Sequence, residues 1–149
     1  MTRRRLLLIV CAVLLFTGVA AYLHDPPWAG GITAGMRDWE EDPPGTRFRW
    51  TSGHANLFVP SDATAMTLPL RAGWFPGRVN GPVTVEVSVD DRWLATIDLR
   101  DPNAWERRTL PLPRRPSHRR FRRVDLRVSR VVGFYNLGVQ VGPIALERP

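Results

Sequence analysis

The chain has 149 residues and a formal net charge of +7, with 21 basic residues that are all arginine against 14 acidic ones. Its single cysteine, Cys11, excludes an intramolecular disulfide and any metal site built from several cysteines. The chain is long enough to form one domain whose core needs no covalent cross-link.

The N-terminus is apolar. Residues 6–23 form an uncharged run that directly follows Arg3, Arg4 and Arg5. A helix of roughly 20 apolar residues spans a bilayer, and arginines are retained on the cytoplasmic side. We therefore predict a single-pass inner-membrane protein whose C-terminal part is periplasmic or extracellular. The small residues at 18–21 also fit a cleaved signal peptide, in which case residues 1–23 are removed and the domain is secreted. Both interpretations export the domain.

Residues 24–35 are predicted to be a linker, because Asp25-Pro26-Pro27 and Gly30-Gly31 disfavour regular structure. Residues 36–149 are predicted to form the domain.

Beyond Thr46 the hydrophobic pattern has a period of two, which indicates half-buried strands. Residues 83–89 alternate valine with polar residues, Asp90-Asp91 predicts a turn, and residues 92–98 return. Pro69 and Pro111 lie in predicted strands, which are expected to be edges or to be interrupted there. The predicted strands cover 47–50, 55–59, 64–70, 83–89, 92–98, 108–112, 124–129 and 137–146. About eight short strands, with no helix after residue 23, predict an all-β antiparallel sandwich, preferably a jelly roll.

The sequence shows no catalytic motif. The three histidines, His24, His54 and His118, are far apart and lack metal-ligand spacing, and no G-x-S-x-G motif occurs. We therefore predict that the protein is not an enzyme and has no cofactor or metal.

Six tryptophans are many for this length, and an indole ring can either fill a core or stack on a sugar. Trp50 and Trp93 lie at or in predicted strands and are expected to be structural. Trp39, Trp74 and Trp105 lie near proline, glycine or asparagine and are the better ligand-binding candidates.

The charge is uneven along the chain. Residues 24–106 hold 7 arginines and 12 acidic residues, whereas residues 107–149 hold 11 arginines and 2 acidic residues. This predicts a basic patch that faces either the rest of the domain or an anionic partner. Its members are Arg114, Arg115, Arg119, Arg120, Arg122 and Arg123.

Several segments resemble a bacterial envelope module. They are 35–40 (GMRDWE), 48–51 (FRWT), 55–60 (ANLFVP), 83–87 (VTVEV) and 137–146 (LGVQVGPIAL). The module is similar to carbohydrate-binding jelly rolls and occurs at the ends of membrane glycosyltransferases. The resemblance implies a cluster of Glu40, Arg49 and Trp50, and it adds Glu40 and Arg49 to the ligand-binding candidates.

Two functions follow as hypotheses. The first is a non-catalytic envelope β-sandwich that binds a glycan or anionic polysaccharide, or assists cell-surface polysaccharide assembly and glycosyl transfer. The second is a structural or protein-interaction domain whose arginine-rich face contacts a membrane-protein partner or an anionic membrane surface. Export makes nucleic acid an unsuitable partner for the basic segment.

Overall fold

The computed structural model describes residues 3–42, 45–73, 82–114 and 118–149. It contains one long helix, one short 3-10 helix and ten strands. The helix is α1 (Arg3–His24), the 3-10 helix covers Ala29–Gly31, and the strands are β1 (Thr33–Met36), β2 (Glu40–Asp42), β3 (Thr46–Pro60), β4 (Ala65–Arg71), β5 (Val83–Val89), β6 (Arg92–Leu99), β7 (Glu106–Pro111), β8 (Phe121–Val128), β9 (Gln140–Val141) and β10 (Ala145–Glu147).

The strands form two facing antiparallel layers that share β3. The first sheet has the order β1-β3-β8-β5-β6. The second contains β2, β3, β9, β4 and β7, with β10 following β9 alongside β4. At the edge of the sandwich away from β3, contacts between β6 and β7 nearly close the gap between the two sheets. The predicted all-β antiparallel sandwich behind one N-terminal helix is therefore confirmed.

The core lies between the two layers. The inward valines of β5, Val85 and Val87, have no exposed surface, and neither has Leu126 of β8. From the second sheet, Leu68 and Leu70 of β4 pack into the same cluster. This alternation is the pattern that predicted these strands, and burying each such side chain stabilises the fold by roughly 1.5–3 kcal/mol.

The long strand β3 differs from prediction, because 47–50 and 55–59 are parts of one strand. The chain continues through Ser52-Gly53 because the backbone there has partners. Thr51 donates its N–H to the Val139 carbonyl at 2.8 Å and accepts the Gly138 N–H at 2.7 Å. These bonds connect residues 88 and 87 positions apart in sequence, so local turn propensity could not reveal them.

Pro69 lies where pairing is interrupted on one side of its strand, and Pro111 lies in an edge strand, so both positions agree with the prediction. Pro69 lies in β4 opposite the gap between β9 and β10, where its carbonyl accepts the Gly142 N–H at 2.9 Å. Pro111 is the last residue of β7. The predicted strand 137–146 is accordingly split into two short strands.

The predicted linker is partly built into the domain. Thr33–Met36 forms β1 and pairs with β3, and the Asp25 carboxylate accepts the Arg120 N–H at 2.9 Å. Gly35 has a φ of +65°, and a Cβ there would lie 2.0 Å from the His54 carbonyl oxygen. Only glycine fits so close to β3, so the residue that signals a break in the sequence permits a strand pairing in the structure.

Every residue of α1 is exposed, and its 22 residues are about 33 Å long at the rise of an α-helix. Its most apolar window has a mean hydropathy of 2.7. The helix therefore has the length and composition of a membrane span, properties that a signal sequence shares.

Candidate functional site

The outward side of the first sheet contains a polar depression with a volume of about 390 Å³. We call this surface the outer face. It is built from the side chains of β3, β8, β5 and β6 that point away from the core, together with the turn after β5. Its lining side chains include His54, Asn56, Glu86, Ser88, Asp91, Trp93, Arg123, Asp125 and Arg127.

Antiparallel register arranges the outer face in rows across the sheet. One row runs from Trp93 to Ser88, Asp125 and Asn56. The next row contains Thr96, Glu86, Arg127 and His54. Directly opposite residues share a face, and neighbouring strands lie about 4.8 Å apart. Each row therefore extends about 14 Å across four strands, and the first row ends at the Trp93 indole.

Asp125 organises the middle of the face. It is only 5% exposed, and its Oδ2 accepts the Nε–H of Arg123 at 2.9 Å while its Oδ1 lies 3.2 Å from Nε2 of His54. Arg123 also pairs with Asp91. The hydrogen bond that Arg123 donates to Asp125, with the negative charges of Asp125, Asp91 and Asp90, raises the pKa of Arg123 above its usual value. The guanidinium and its partners are thereby held in fixed positions.

Trp93 is the exposed aromatic side chain of this face. Its side chain is 71% exposed, and its Nε1–H donates to Thr96 Oγ1 at 3.2 Å. Trp93 was expected to be structural, but its exposure shows that it does not fill the core. Simple alternation would place Trp93 on the inner face with Ile97 and Leu99, but the register shifts between Val87 and Ser88, leaving Leu94 as an extra residue in β6. This β-bulge turns Trp93 to the outer face.

The sequence candidates Trp39 and Arg49 lie elsewhere, near β1 and the first half of β3. The guanidinium groups of Arg47 and Arg49 lie over the Trp39 ring, 5.1 and 4.9 Å from its centroid. Arg49 Nη1 donates to Thr33 Oγ1 at 3.3 Å. Burial lowers the pKa of Arg49 from its ordinary value. The Trp39 ring is thus already in contact with the chain's own cations.

The implied cluster of Glu40, Arg49 and Trp50 is not formed. Glu40 of β2 lies opposite Phe48, on the side of β3 that carries Trp50. Arg49 points to the other side, as adjacent residues of a strand do. Trp50 is 5% exposed and packs edge-on to Phe48, with 6.2 Å between ring centroids, so its predicted structural role holds.

Trp105 is half-buried beside the second sheet. Arg71 lies 4.8 Å from its ring centroid, and the Phe48 ring packs at 6.3 Å. Trp105 therefore contacts other parts of the domain rather than standing alone. Two candidates, Trp74 and Arg115, lie outside the described residues.

The predicted basic patch is divided by the strand geometry. Arg114 and Arg119 are exposed, and Arg120 is exposed and pairs with Asp25. Arg122 is 3% exposed, so it belongs to no surface patch, and Arg123 belongs to the outer face. Because these two are neighbours in β8, their side chains point in opposite directions.

Metal ligation receives no support within the residues that the structure describes, since no group of three His, Cys, Asp or Glu side chains is placed to hold an ion there.

Comparison with protein-family models and with curated protein sequences finds no match. Among solved structures, a family 6 carbohydrate-binding module matches with 10% identity and a TM-score of 0.45, covering 79% of this chain and 87% of that one. The C-terminal CBM6 of LamC from Zobellia galactanivorans matches with 9% identity and a TM-score of 0.43, covering 76% of this chain and 88% of that one. A family 43 arabinoxylan arabinofuranohydrolase from Bacillus subtilis matches with 8% identity and a TM-score of 0.42, covering 79% of this chain but 24% of the hydrolase.

The TM-scores of these matches are all below 0.5. At this level of similarity they carry no argument about a ligand. What the chain binds has to be argued from its own side chains.

Proposed function

We propose that this chain is a non-catalytic glycan-binding β-sandwich that α1 holds at the inner membrane, with the domain on the periplasmic or extracellular side. The observation that carries the proposal is the outer face, where an exposed indole stands at the end of rows of polar side chains. A sugar ring has an apolar face that stacks on an aromatic ring and hydroxyl groups that need hydrogen-bonding partners.

The chemistry of the rows suits hydroxyl groups. Arg127 offers donors, Glu86 offers acceptors, and Asn56 offers both. Hydrogen bonds to charged groups are stronger than those between neutral groups. The network around Asp125 supports the face from below, which lowers the entropy cost of binding because these side chains are already ordered.

The arrangement of Asp125 favours a binding role over a catalytic one. Both carboxylate oxygens are engaged, one by Arg123 and one by His54. We therefore propose that Asp125 positions the side chains of Arg123 and His54 and does not transfer a proton to a substrate. An accessory role in cell-surface polysaccharide assembly or glycosyl transfer follows from the proposed location and the proposed ligand class.

A second candidate function, protein interaction, is favoured by the loop after β8. Phe134 is 96% exposed and Tyr135 is 65% exposed, with Arg37 lying 5.2 Å from the Tyr135 ring centroid. Aromatic residues and arginine are enriched in protein interfaces.

A glycan array probed with the detergent-solubilised full chain tests the first proposal. We expect binding to a defined set of glycans that Trp93→Ala weakens at least tenfold. Trp28→Ala is the matched control, because Trp28 is also exposed (51%) and lies outside the outer face. Absence of any glycan signal, or equal binding by Trp93→Ala and the wild-type chain, would refute the proposal.

A further inference from the structure

A second concavity, separate from the outer face, lies between β1, β3 and β10. We call it the arginine groove. It has a volume of about 390 Å³, and its walls are largely apolar, with the aliphatic Leu57, Ile144 and Leu146 and the aromatic Trp39 and Phe58 among them. Arg47 and Arg49 also line it. The groove thus combines an apolar wall with two cations.

The two guanidinium groups have no acidic partner among the described residues. The ion pairs found there include neither Arg47 nor Arg49, although Glu41 lies directly opposite Arg47 in the register of β2 and β3. Nε of Arg49 is buried without a hydrogen-bond acceptor, and Nη1 reaches only the Thr33 hydroxyl. A partly desolvated cation without a counter-ion is unfavourable, so the groove favours an anionic group.

The other residues that line the groove indicate the class of molecule to which the anionic group belongs. Apart from the two arginines, the described lining of the groove offers only two side-chain hydrogen-bonding groups, the Thr33 hydroxyl and the Trp39 indole N–H. A sugar would leave most of its hydroxyl groups without partners there, whereas an alkyl chain needs none. Guanidinium groups match the geometry of phosphate oxygens.

The position of the groove in the chain favours a membrane lipid as the molecule that carries the anionic group. Gly30, in the 3-10 helix six residues after the end of α1, lines the groove. The groove therefore opens near the point where the chain leaves the proposed membrane span. We propose that the arginine groove binds an anionic phospholipid, with the phosphate on Arg47 and Arg49 and the adjoining alkyl region against the aliphatic wall. This inference rests on the proposed membrane anchoring and is independent of glycan binding.

Native mass spectrometry of the full chain in detergent tests the inference with three probes: phosphatidylglycerol, phosphatidylcholine with the same acyl chains, and soluble glycerol phosphate. We expect phosphatidylglycerol to bind at least tenfold more tightly than either of the other two. Arg49→Gln and Arg47→Gln should each weaken phosphatidylglycerol binding about tenfold. Arg100→Gln removes an exposed arginine outside the groove and should bind like the wild type.

Arg47 is exposed, so Arg47→Gln keeps the test meaningful even if Arg49→Gln fails to fold. Equal binding of the two phospholipids, wild-type binding by Arg47→Gln, or binding of glycerol phosphate as tight as that of the lipid would overturn the inference. Trp93→Ala should keep its lipid binding, and Arg47→Gln should keep its glycan binding. Failure of one proposal is therefore distinguishable from failure of the other.

Discussion

Arg122 is a charged residue placed inside the end of the sandwich. It lies opposite Val59 on the inner side of the first sheet and is 3% exposed. Its Nε–H donates to Asp90 Oδ2 at 3.0 Å, and Nη1 donates to the Pro113 carbonyl at 2.7 Å, while Nη2 is buried without a partner. The side chain of Asp90 is 44% exposed. We predict that Asp90→Asn destabilises the domain because it removes the only carboxylate that pairs with Arg122 among the described residues.

The magnitude follows from the exposure of the two partners. Removing one member of a fully buried ion pair costs about 3–5 kcal/mol. Water screens Asp90, and Arg122 keeps the Pro113 carbonyl, so we expect a loss of about 1–2 kcal/mol in the free energy of unfolding. Asparagine is the appropriate replacement because Asp90 has a φ of +50°, which asparagine tolerates, and because it retains an acceptor for the Arg123 N–H.

Thermal unfolding of the full chain in detergent, followed by near-ultraviolet circular dichroism, measures the effect. We expect the midpoint to fall by about 3–8 °C. Arg122→Met replaces the incompletely bonded guanidinium with an apolar chain and should change stability by less than about 1 kcal/mol. In the Arg122→Met background, Asp90→Asn should have no further effect. A neutral Asp90→Asn together with a strongly destabilising Arg122→Met would refute the reasoning, because the side chain of Arg122 would then act through packing alone.

Three further substitutions test the fold in the same assay. Leu126→Ala should cost about 3 kcal/mol because Leu126 has no exposed surface between the sheets, and a loss below about 1 kcal/mol would contradict its place in the core. Gly35→Ala should cost at least about 2 kcal/mol because of its positive φ and the 2.0 Å approach to the His54 carbonyl; an unchanged midpoint would argue against the pairing of β1 with β3. Phe134→Ser should change stability by less than about 0.5 kcal/mol because Phe134 is 96% exposed, and a clear loss would mean that its edge-on contact with Tyr135, 5.8 Å between ring centroids, stabilises the fold.

Strands with strict alternation were predictable from the sequence. The predicted strand 83–89 is β5 without change, and 92–98 differs from β6 by one residue. The turn between them has positive φ at both Asp90 and Asp91, as a two-residue hairpin of this kind requires. These features are local, so the residues that specify them are neighbours in the chain.

Features that depend on distant partners were not predictable in this way. β1 exists because β3 provides hydrogen-bonding groups beside Gly35, and β3 is continuous because Gly138 and Val139 pair with Thr51. The sequence around 24–35 shows breakers and offers no sign of either partner. At such positions the pairing with a distant strand decides the secondary structure, and the local residue propensities do not.

The outer face was not predicted from the sequence for a related reason, which is the way a sheet distributes its side chains between two faces. Residues adjacent in a strand point to opposite faces, so a cluster in the sequence is separated in the structure, as Arg122 and Arg123 illustrate. A site on a sheet face instead collects residues that are distant in sequence and share a row, such as Asn56, Asp125 and Trp93. One bulge at Leu94 decides whether Trp93 joins that row or the core. The proposed ligand-binding surface therefore depends on strand register, and it can be derived only once the pairing of β3, β8, β5 and β6 is known.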